Sequence, residues 1–252
     1  MSVLPKDRPA RTPERELRIR TRRAFLTMGA GAAAGYGAWR WLQSRPEDGS
    51  TPKPFRDMLR FNEHPEHALF SESRLARTFP DHRAQPIRTN GLVGLSGDYD
   101  PRQWRLQLNP GGAAARTVSL DEIRALPRIE QTTQLNCIEG WSVAIHWTGA
   151  RFSDFCARFA PAEFDKRYVS MATPGNEYYV GLDMPSALQP QTLLCYEMNG
   201  APLAIENGAP LRLVIPTKYG IKNIKRVGTV TYTDQRPADY WAEEGYDWYA
   251  GL

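Results

Sequence analysis

Cys137 is the residue of this chain whose surroundings most favour metal chemistry. It lies in the segment Gln134–Ser142, which reads QLNCIEGWS. A thiolate is a soft donor that suits transition metals. On spacing alone, however, a buried structural thiol explains a single cysteine better. The residue type therefore leaves two interpretations open, and other parts of the chain must decide between them.

The other two cysteines fit ordinary packing. Cys156 lies in the segment FSDFCARF, whose apolar spacing predicts a helix, and Cys195 lies in LLCYEM, which predicts a strand. We expect both to be buried, because a free cysteine packs as a small hydrophobic residue. An odd count of three in a chain of 252 residues also argues against a disulfide framework.

A lysine-rich loop follows the cysteine segment later in the chain. Lys218, Lys222 and Lys225 surround Gly220 between two apolar runs that predict strands. Ammonium groups and backbone N–H groups at a tight turn can bind a phosphate. The alternative is a solvated basic loop, which is a common feature of protein surfaces.

Together, the cysteine segment and the string Asn207–Lys225 (NGAPLRLVIPTKYGIKNIK) resemble the molybdopterin-binding domain of the sulfite oxidase superfamily. The resemblance runs from about Asn90 to the C-terminus. It is strongest to the periplasmic branch that contains the methionine sulfoxide reductase catalytic subunits. It implies molybdenum–molybdopterin as the cofactor and Cys137 as the thiolate ligand of the metal, in which case coordination would deprotonate the thiol.

The resemblance also implies a set of cofactor-binding residues. These match family positions that contact the metal, the pterin or its phosphate: Asn90, Cys137, Thr173, Asn207, Arg212, Asn223, Ile224 and Lys225. Within this set, Lys225 is the expected charge partner of the phosphate.

Glu139 is the second catalytic candidate. It falls where the methionine sulfoxide reductase branch has a carboxylate near the metal, and it could relay protons. A solvated or salt-bridged glutamate is an equal alternative. We expect Trp141 and Trp147 to shape the wall of the pocket.

Histidines give little support for a first-row metal site. The segment His64–His67 and His82 offer two or three imidazoles in a proline-containing region without a clear further ligand. His146 is expected to line the core or the pocket. We also find no arginine cluster of the kind with which the sulfite-oxidising branch holds its oxyanion substrate, so the substrate stays open.

Charge is distributed unevenly along the chain. Residues 1–45 contain ten Lys/Arg and three Asp/Glu, a net charge of +7, whereas the remaining 207 residues contain 22 and 25, a net charge of −3. Nucleic-acid binding would need a basic face on the folded domain, so we expect no nucleic-acid partner.

The basic N-terminal region is typical of an export signal. Arg22 and Arg23 lie in the segment TRRAFL, and the stretch Ala24–Trp39 that follows has no charged residue. This predicts a signal read by the twin-arginine translocase, which exports folded proteins. We expect a periplasmic protein. An uncleaved anchor at the inner membrane is an alternative to cleavage, because Trp39 and Trp41 could lie at the membrane interface.

The pattern of elements predicts three segments. These are a signal or anchor over 1–42, a linker and surface-wrapping segment over 43–88, and a molybdopterin-binding oxidoreductase domain over 89–252. Strands are expected near 104–108, 130–147, 168–172, 211–215 and 227–233, and short helices near 119–126 and 151–159. Strands outnumber helices without a regular βαβ alternation, so we predict an α+β fold of the sulfite oxidase type with a mixed sheet.

These observations predict an exported molybdenum-dependent oxidoreductase. It would carry out two-electron redox chemistry or oxygen-atom transfer on a small S-oxide, N-oxide or sulfite-like substrate. The sequence contains no haem-attachment motif, so a separate redox partner, a membrane haem protein or a cytochrome, is expected. The alternative is a non-catalytic, membrane-tethered accessory protein that binds the pterin or transfers electrons.

Overall fold

The structure is a computed structural model that describes residues 12–71, 73–89, 91–95, 100–111 and 114–252. The helices are α1 (Pro13–Gln43), α2 (Lys53–Leu69), α3 (Leu120–Arg124), α4 (Phe152–Phe159), α5 (Met184–Ala187) and α6 (Tyr240–Glu243). The strands are β1 (Glu47–Asp48), β2 (Thr51–Pro52), β3 (Leu106–Asn109), β4 (Arg116–Val118), β5 (Arg128–Asn136), β6 (Ser142–Arg151), β7 (Tyr168–Ala172), β8 (Tyr179–Asp183), β9 (Leu193–Met198), β10 (Ala201–Pro202), β11 (Arg212–Val214) and β12 (Thr229–Thr233).

The chain divides into two compact units. Of the described residues, the first unit contains 12–48 and 52–54, and the second contains 49–51 and 55–252. Helix α1 makes up most of the first unit. Glu14 and Glu16 lie in its first turn and Arg40 in its last, an arrangement that suits the helix dipole. Within the described part of the chain, no helix combines the length and the apolar character needed to cross a membrane.

Two five-stranded sheets form the second unit. In the first sheet the order is β10-β9-β6-β5, β11 also pairs with β9, and every pairing is antiparallel. In the second sheet the order is β4-β3-β12-β7-β8, and β3 and β12 are parallel whereas the other pairs are antiparallel. The prediction of an α+β fold with a mixed sheet is confirmed.

The main hydrophobic core takes side chains from both sheets and from α3, α4 and α5. Strand β9 is buried on both faces. Leu194 and Tyr196 face the main core, whereas Leu193 and Cys195 belong to a second cluster with Trp147. This division follows from the alternation of side chains along a strand. Both sides of the strand are therefore held by packing, which fixes the register of the neighbouring β6 and β11.

Local sequence signals account for most of the elements. Helix α3 begins with the capping box that its sequence favours: the Ser119 hydroxyl accepts from the Glu122 amide at 3.2 Å, and the Glu122 carboxylate accepts from the Ser119 amide at 2.8 Å. Cys156 and Cys195 are fully buried, as expected. Burial raises the pKa of Cys156 to about 12 and also raises that of Cys195, so both thiols are inert.

Part of the segment predicted to be a linker is helical. Helix α2 starts inside residues 43–60 and continues to Leu69, with Pro65 in its interior. The prolines at its start suggested an irregular segment, but a proline is tolerated in the first turn of a helix, where its missing N–H has no intrahelical partner.

Candidate cofactor and active site

Cys137 lies in the turn between β5 and β6, one residue beyond the last residue of β5. The Cys137 amide donates to the Trp141 carbonyl at 2.9 Å, and the Gly140 amide donates to the Cys137 carbonyl at 3.1 Å. Its side chain is partly exposed, unlike those of the other two cysteines. The hairpin thus presents an accessible thiol on a turn whose backbone is fixed.

The lysine-rich loop packs against this turn through Gly220. A β-carbon placed on Gly220 would lie 3.3 Å from the Asn136 carbonyl oxygen and 3.7 Å from the Cα of Cys137. Gly220 also opens a short 3-10 helix that ends at Lys222. The fold therefore brings together the two segments that carry the resemblance.

A buried arginine, Arg212, interacts with the partly buried Lys225 of this loop. Arg212, on β11, is 2% exposed and donates to the carbonyl oxygens of Asn207 at 3.2 Å and Asn223 at 3.3 Å. Its guanidinium lies over the Trp147 ring, 4.9 Å from the centroid. Burial lowers the pKa of Arg212 to about 10. Burial, and then the charge of Arg212, lower the pKa of Lys225 to about 8. Two interacting cations in a low-polarity environment are costly, and an anion bound between them would lower that cost.

The positive charge of Arg212 is not neutralised by a carboxylate of the described residues. Among the described residues no Asp or Glu forms an ion pair with Arg212, and its Nε is buried without a hydrogen-bond partner. The Lys225 ammonium donates to the Gly91 carbonyl at 3.1 Å, and the charge of Glu206 raises its pKa. A buried donor without a hydrogen-bond partner, such as Arg212 Nε, is energetically unfavourable. A bound ligand with an acceptor atom would satisfy it.

Asn207 presents a second unpaired polar atom to this region. It is 7% exposed, and its Oδ1 is buried without a hydrogen-bond partner among the described residues. Gly208 follows with a φ of 97°, and a β-carbon there would lie 2.7 Å from the Arg226 amide nitrogen and 2.8 Å from the Cα of Lys225. Only glycine permits both this conformation and this approach, so Gly208 holds Asn207 beside Lys225.

Thr173 connects a further segment to the site. It is 2% exposed, and its hydroxyl accepts from the Tyr178 amide at 3.1 Å. A β-carbon on Gly94, whose φ is 76°, would lie 2.5 Å from Thr173 Cγ2. The Tyr178 hydroxyl donates to the Ile221 carbonyl in the lysine-rich loop. Residues 91–95, Thr173 and the loop are thus neighbours, while the predicted cofactor residue Asn90 lies outside the described residues.

Asn223 and Ile224 lie in the same segment, but their side chains stabilise the fold. Asn223 Oδ1 accepts from the Ile215 amide at 2.8 Å, and its Nδ2 donates to the Tyr219 carbonyl at 3.1 Å. Ile224 is 1% exposed and belongs to the main core. Both residues therefore set the path of the loop, and with it the position of Lys225.

Two of the three lysines of the loop, Lys218 and Lys222, have buried environments of their own. Lys222 is 1% exposed and forms an ion pair with Asp239. Lys218 is 3% exposed and lies over the Tyr249 ring. Residues along a tight turn project in different directions, so spacing alone could not group their side chains. Of the three, Lys225 alone has a pKa lowered by the charge of the buried arginine.

Glu139 and the aromatic candidates occupy distinct environments. Glu139 is exposed, and its carboxylate accepts from the indole nitrogen of Trp141 at 2.9 Å. Trp147 is fully buried beneath the arginine. His146 lies 2.9 Å from the Thr132 hydroxyl, away from the cysteine turn in the hairpin register. Within the described ranges, no three His, Cys, Asp or Glu side chains are grouped to hold a metal ion.

These residues fit molybdenum–molybdopterin. The accessible thiol supplies the soft protein donor, while the pterin dithiolene would supply the other sulfur atoms. Arg212 Nε and the Lys225 ammonium offer donors to a phosphate, and Asn207 Oδ1 offers an acceptor to an N–H group. Sequence inspection missed the roles of Gly208 and Tyr178. The Asn-Gly pair was the available signal for Gly208.

Comparison with known families identifies the domain. Residues 94–241 match the model of the oxidoreductase molybdopterin-binding domain, which is more than half of the chain. The chain belongs to this family. It is a molybdenum-dependent oxidoreductase of the sulfite oxidase superfamily, and molybdenum–molybdopterin is the cofactor of its domain.

Curated relatives carry methionine sulfoxide reductase names. The "Putative protein-methionine-sulfoxide reductase subunit YedZ1" of Azospira oryzae is 33% identical over 208 residues, which cover 81% of this chain and 79% of that protein. The protein-methionine-sulfoxide reductase catalytic subunit MsrP of Campylobacter jejuni is 27% identical over 96% of this chain and 83% of its own. MsrP of Xanthomonas campestris is 35% identical over 55% of this chain and 47% of its own.

Among solved structures, the sulfane dehydrogenase SoxCD of Paracoccus pantotrophus has a similar fold. The TM-score is 0.50 with 18% sequence identity, and the similarity covers 55% of this chain and 40% of that one. At this identity the likeness concerns the fold alone. It agrees with the prediction of a sulfite oxidase-type molybdopterin-binding fold for this family member.

Proposed function

We propose that this oxidoreductase reduces S-oxides, with methionine sulfoxide in polypeptides as its substrate. The relatives named above as protein-methionine-sulfoxide reductase subunits support this choice over N-oxides and sulfite. In the reaction the S=O bond breaks, the sulfur gains two electrons, and the oxygen leaves as water after accepting two protons. The structural observation that supports the proposal most is the partly exposed Cys137 turn packed against the lysine-rich loop, whose Lys225 interacts with the buried Arg212.

Each residue of the site has a defined part in this proposal. Bound molybdenum–molybdopterin supplies the two-electron redox chemistry, and the protein supplies binding, orientation and electrostatics. The Cys137 thiolate would bind the metal, and Arg212 with Lys225 would bind the phosphate through charge-assisted hydrogen bonds. Asn207 and Thr173 would orient the pterin. Exposed Glu139, two residues from the thiolate, would pass protons from solvent to the leaving oxygen.

Electrons would come from a separate redox protein. The sequence has no haem-attachment motif, and the described residues include no cluster of ligands for a further metal. We propose a membrane haem protein or a cytochrome as the donor. This assignment agrees with an exported enzyme that works beside the inner membrane.

We also propose that the protein is exported by the twin-arginine translocase to the periplasm. Arg22 and Arg23 lie within α1, before the charge-free stretch Ala24–Trp39. Export of a folded protein suits an enzyme that receives its cofactor before it crosses the membrane.

Turnover on a substrate panel tests the function. Purified enzyme with a reduced dye as electron donor is supplied with a peptide that contains methionine sulfoxide, with dimethyl sulfoxide and with trimethylamine N-oxide, and sulfite oxidation is measured with an oxidised dye. We expect the peptide to have the highest kcat/KM. A higher kcat/KM for the N-oxide, or oxidation of sulfite as the main activity, would contradict the proposal.

A further inference from the structure

A cavity lies beside Asn136 of the cysteine segment and Lys218 of the lysine-rich loop. It has a volume of about 680 Å³, and its wall includes Leu69, Leu75, Asn136, Gln189, Lys218 and Tyr249. Cys137 and Gly220 are not part of its lining, whereas Asn136, which directly precedes Cys137, is. The C-terminal end of α2 and residues 73–79, which we call the strap, form one side of it. We call it the strap cavity.

The walls of the strap cavity are fixed in place by hydrogen bonds to the domain. The Gln191 side chain accepts from the Ala76 amide at 2.7 Å and donates to the Ala76 carbonyl at 3.0 Å. Gln189 donates to the Arg74 carbonyl at 3.0 Å, and the Phe79 amide donates to the Thr132 carbonyl. A cavity whose walls are already ordered binds a ligand at a smaller entropic cost.

The cavity combines apolar walls with two buried polar groups. Leu69 and Leu75 are 61% and 50% exposed, which is unusual for neighbouring large apolar side chains that serve no packing role. Lys218 Nζ and Glu66 Oε2 are buried and have no hydrogen-bond partner among the described residues. One is a donor and the other is an acceptor when ionised, so together they complement a ligand that has both an acceptor and a donor.

The charges around Lys218 favour a neutral ligand over an ion. The nearest carboxylate, Asp183 Oδ2, is 3.8 Å away, and Glu66, Asp247 and Lys222 also act on the ammonium through their charges. Burial lowers the pKa of Lys218 to about 7, and burial raises the pKa of Glu66. Because burial disfavours the charged form of both groups, a peptide group, with its C=O and N–H, matches them better than an anion or a cation.

We propose that the strap cavity binds the polypeptide segment beside the oxidised methionine. Lys218 and Glu66 would bind its peptide groups, and Leu69 and Leu75 would bind its apolar side chains. This inference rests on the proposed S-oxide reductase function. Asn136 lines the cavity and directly precedes Cys137, so a segment in the cavity lies one residue from the metal ligand. Cavities of this size hold ligands of drug-like dimensions, whereas dimethyl sulfoxide would leave most of the volume empty.

The test compares a peptide with a small S-oxide. The substrates are a hexapeptide with a central methionine sulfoxide between apolar residues and dimethyl sulfoxide. The variants of the holoenzyme are Leu69→Asp with Leu75→Asp, which places charges on exposed wall positions, and Lys218→Met, which removes the buried amine. Met58→Asp is the matched control, because Met58 lies on the same helix as Leu69, is 60% exposed and does not line the cavity.

We expect the Leu69/Leu75 variant and Lys218→Met to lose about ten-fold or more in kcat/KM for the hexapeptide and to stay within about two-fold for dimethyl sulfoxide, since ten-fold corresponds to about 1.4 kcal/mol of binding free energy. Met58→Asp should leave both values unchanged. Binding of the thioether form of the hexapeptide, measured by calorimetry, should weaken in the same two variants.

Equal losses for both substrates, or unchanged values for the hexapeptide, would overturn the assignment of the cavity. If the wild-type enzyme reduces no S-oxide at all, the proposed function fails instead. Calorimetry with the hexapeptide then still decides whether the strap cavity binds polypeptide, because it requires no turnover.

Discussion

Replacing Lys225 by methionine should affect the loaded and the cofactor-free protein differently. In the loaded protein, the substitution removes a charge-assisted hydrogen bond to the phosphate, which is worth about 1.5–3 kcal/mol. That free energy corresponds to roughly a ten- to hundred-fold weaker retention of the cofactor. Molybdenum per chain after prolonged dialysis should therefore fall well below the wild-type value.

In the cofactor-free protein, the same ammonium lowers the free energy of unfolding. Its pKa is about 8 in the fold, against 10.5 for an unperturbed lysine, because burial and then Arg212 disfavour the charge. This difference corresponds to roughly 3 kcal/mol, which we reduce to about 1–2 kcal/mol because the side chain is only partly buried. The hydrogen bond to the Gly91 carbonyl offsets about 1 kcal/mol of this cost.

The pH dependence of the free energy of unfolding tests this penalty directly. Below about pH 8 the lysine is charged in both states, so the full penalty is present in the wild-type protein. Between about pH 8 and 10.5 the unfolded chain still binds the proton that the folded chain has lost, so wild-type stability should rise with pH relative to Lys225→Met. Urea unfolding of cofactor-free protein, produced in a host without pterin synthesis, should show a relative gain of about 1–2 kcal/mol.

Lys166→Met serves as the control for both measurements. Lys166 forms an exposed ion pair with Asp234, and its pKa is raised, so its removal should change neither molybdenum content nor the alkaline slope. If Lys225→Met retains full molybdenum content, or if wild type and variant have parallel stability profiles between pH 8 and 10.5, the assignment of a buried cationic phosphate site is wrong.

Three further outcomes follow from the same structure. Cys137→Ser should leave a folded protein that has lost turnover and has an altered Mo(V) spectrum, because a hydroxyl is a harder and weaker donor than a thiolate; wild-type activity would refute the ligand assignment. Gly208→Ala should destabilise the protein by about 2 kcal/mol or more and reduce its molybdenum content. The φ of Gly208 is 97°, and the new methyl group would lie 2.7 Å from the Arg226 amide nitrogen. An unchanged urea midpoint would contradict this. Arg22→Lys with Arg23→Lys should leave loaded enzyme in the cytoplasm, because a twin-arginine receptor distinguishes guanidinium from ammonium; periplasmic activity equal to that of the parent in cell fractions would exclude the export proposal.

Local sequence signals predicted much of the fold. The capping residues of α3, the alternation in β3 and the apolar spacing of α4 depend on neighbouring residues, so they are visible in the chain itself. Helix α2 was missed because the prolines near its start and in its interior indicated an irregular segment. Short strands such as β8 and β10 have too few residues for a clear pattern, and their pairing depends on contacts distant in sequence.

The candidate site was predictable in its residue types but less so in its geometry. The resemblance grouped Cys137 with the segment Asn207–Lys225, and the structure places Gly220 against the cysteine turn. No sequence pattern could show that Lys222 would pair with Asp239, which lies seventeen residues further along the chain. Equally, a buried donor without a partner, such as Arg212 Nε, becomes visible only when all neighbouring atoms are in place.

Arg212 and Lys225 relate the stability of the folded domain to cofactor binding and to the proposed export route. Arg212 is almost fully buried without a carboxylate partner in the described chain, and Lys225 loses part of its charge through burial. Folding around these groups is costly until an anion is bound, so the free energy of phosphate binding contributes directly to the stability of the folded domain. A domain built in this way reaches its full stability only when it is loaded. Such a domain gains most from an export route that carries folded proteins, because unfolding during transport would release the cofactor that stabilises it.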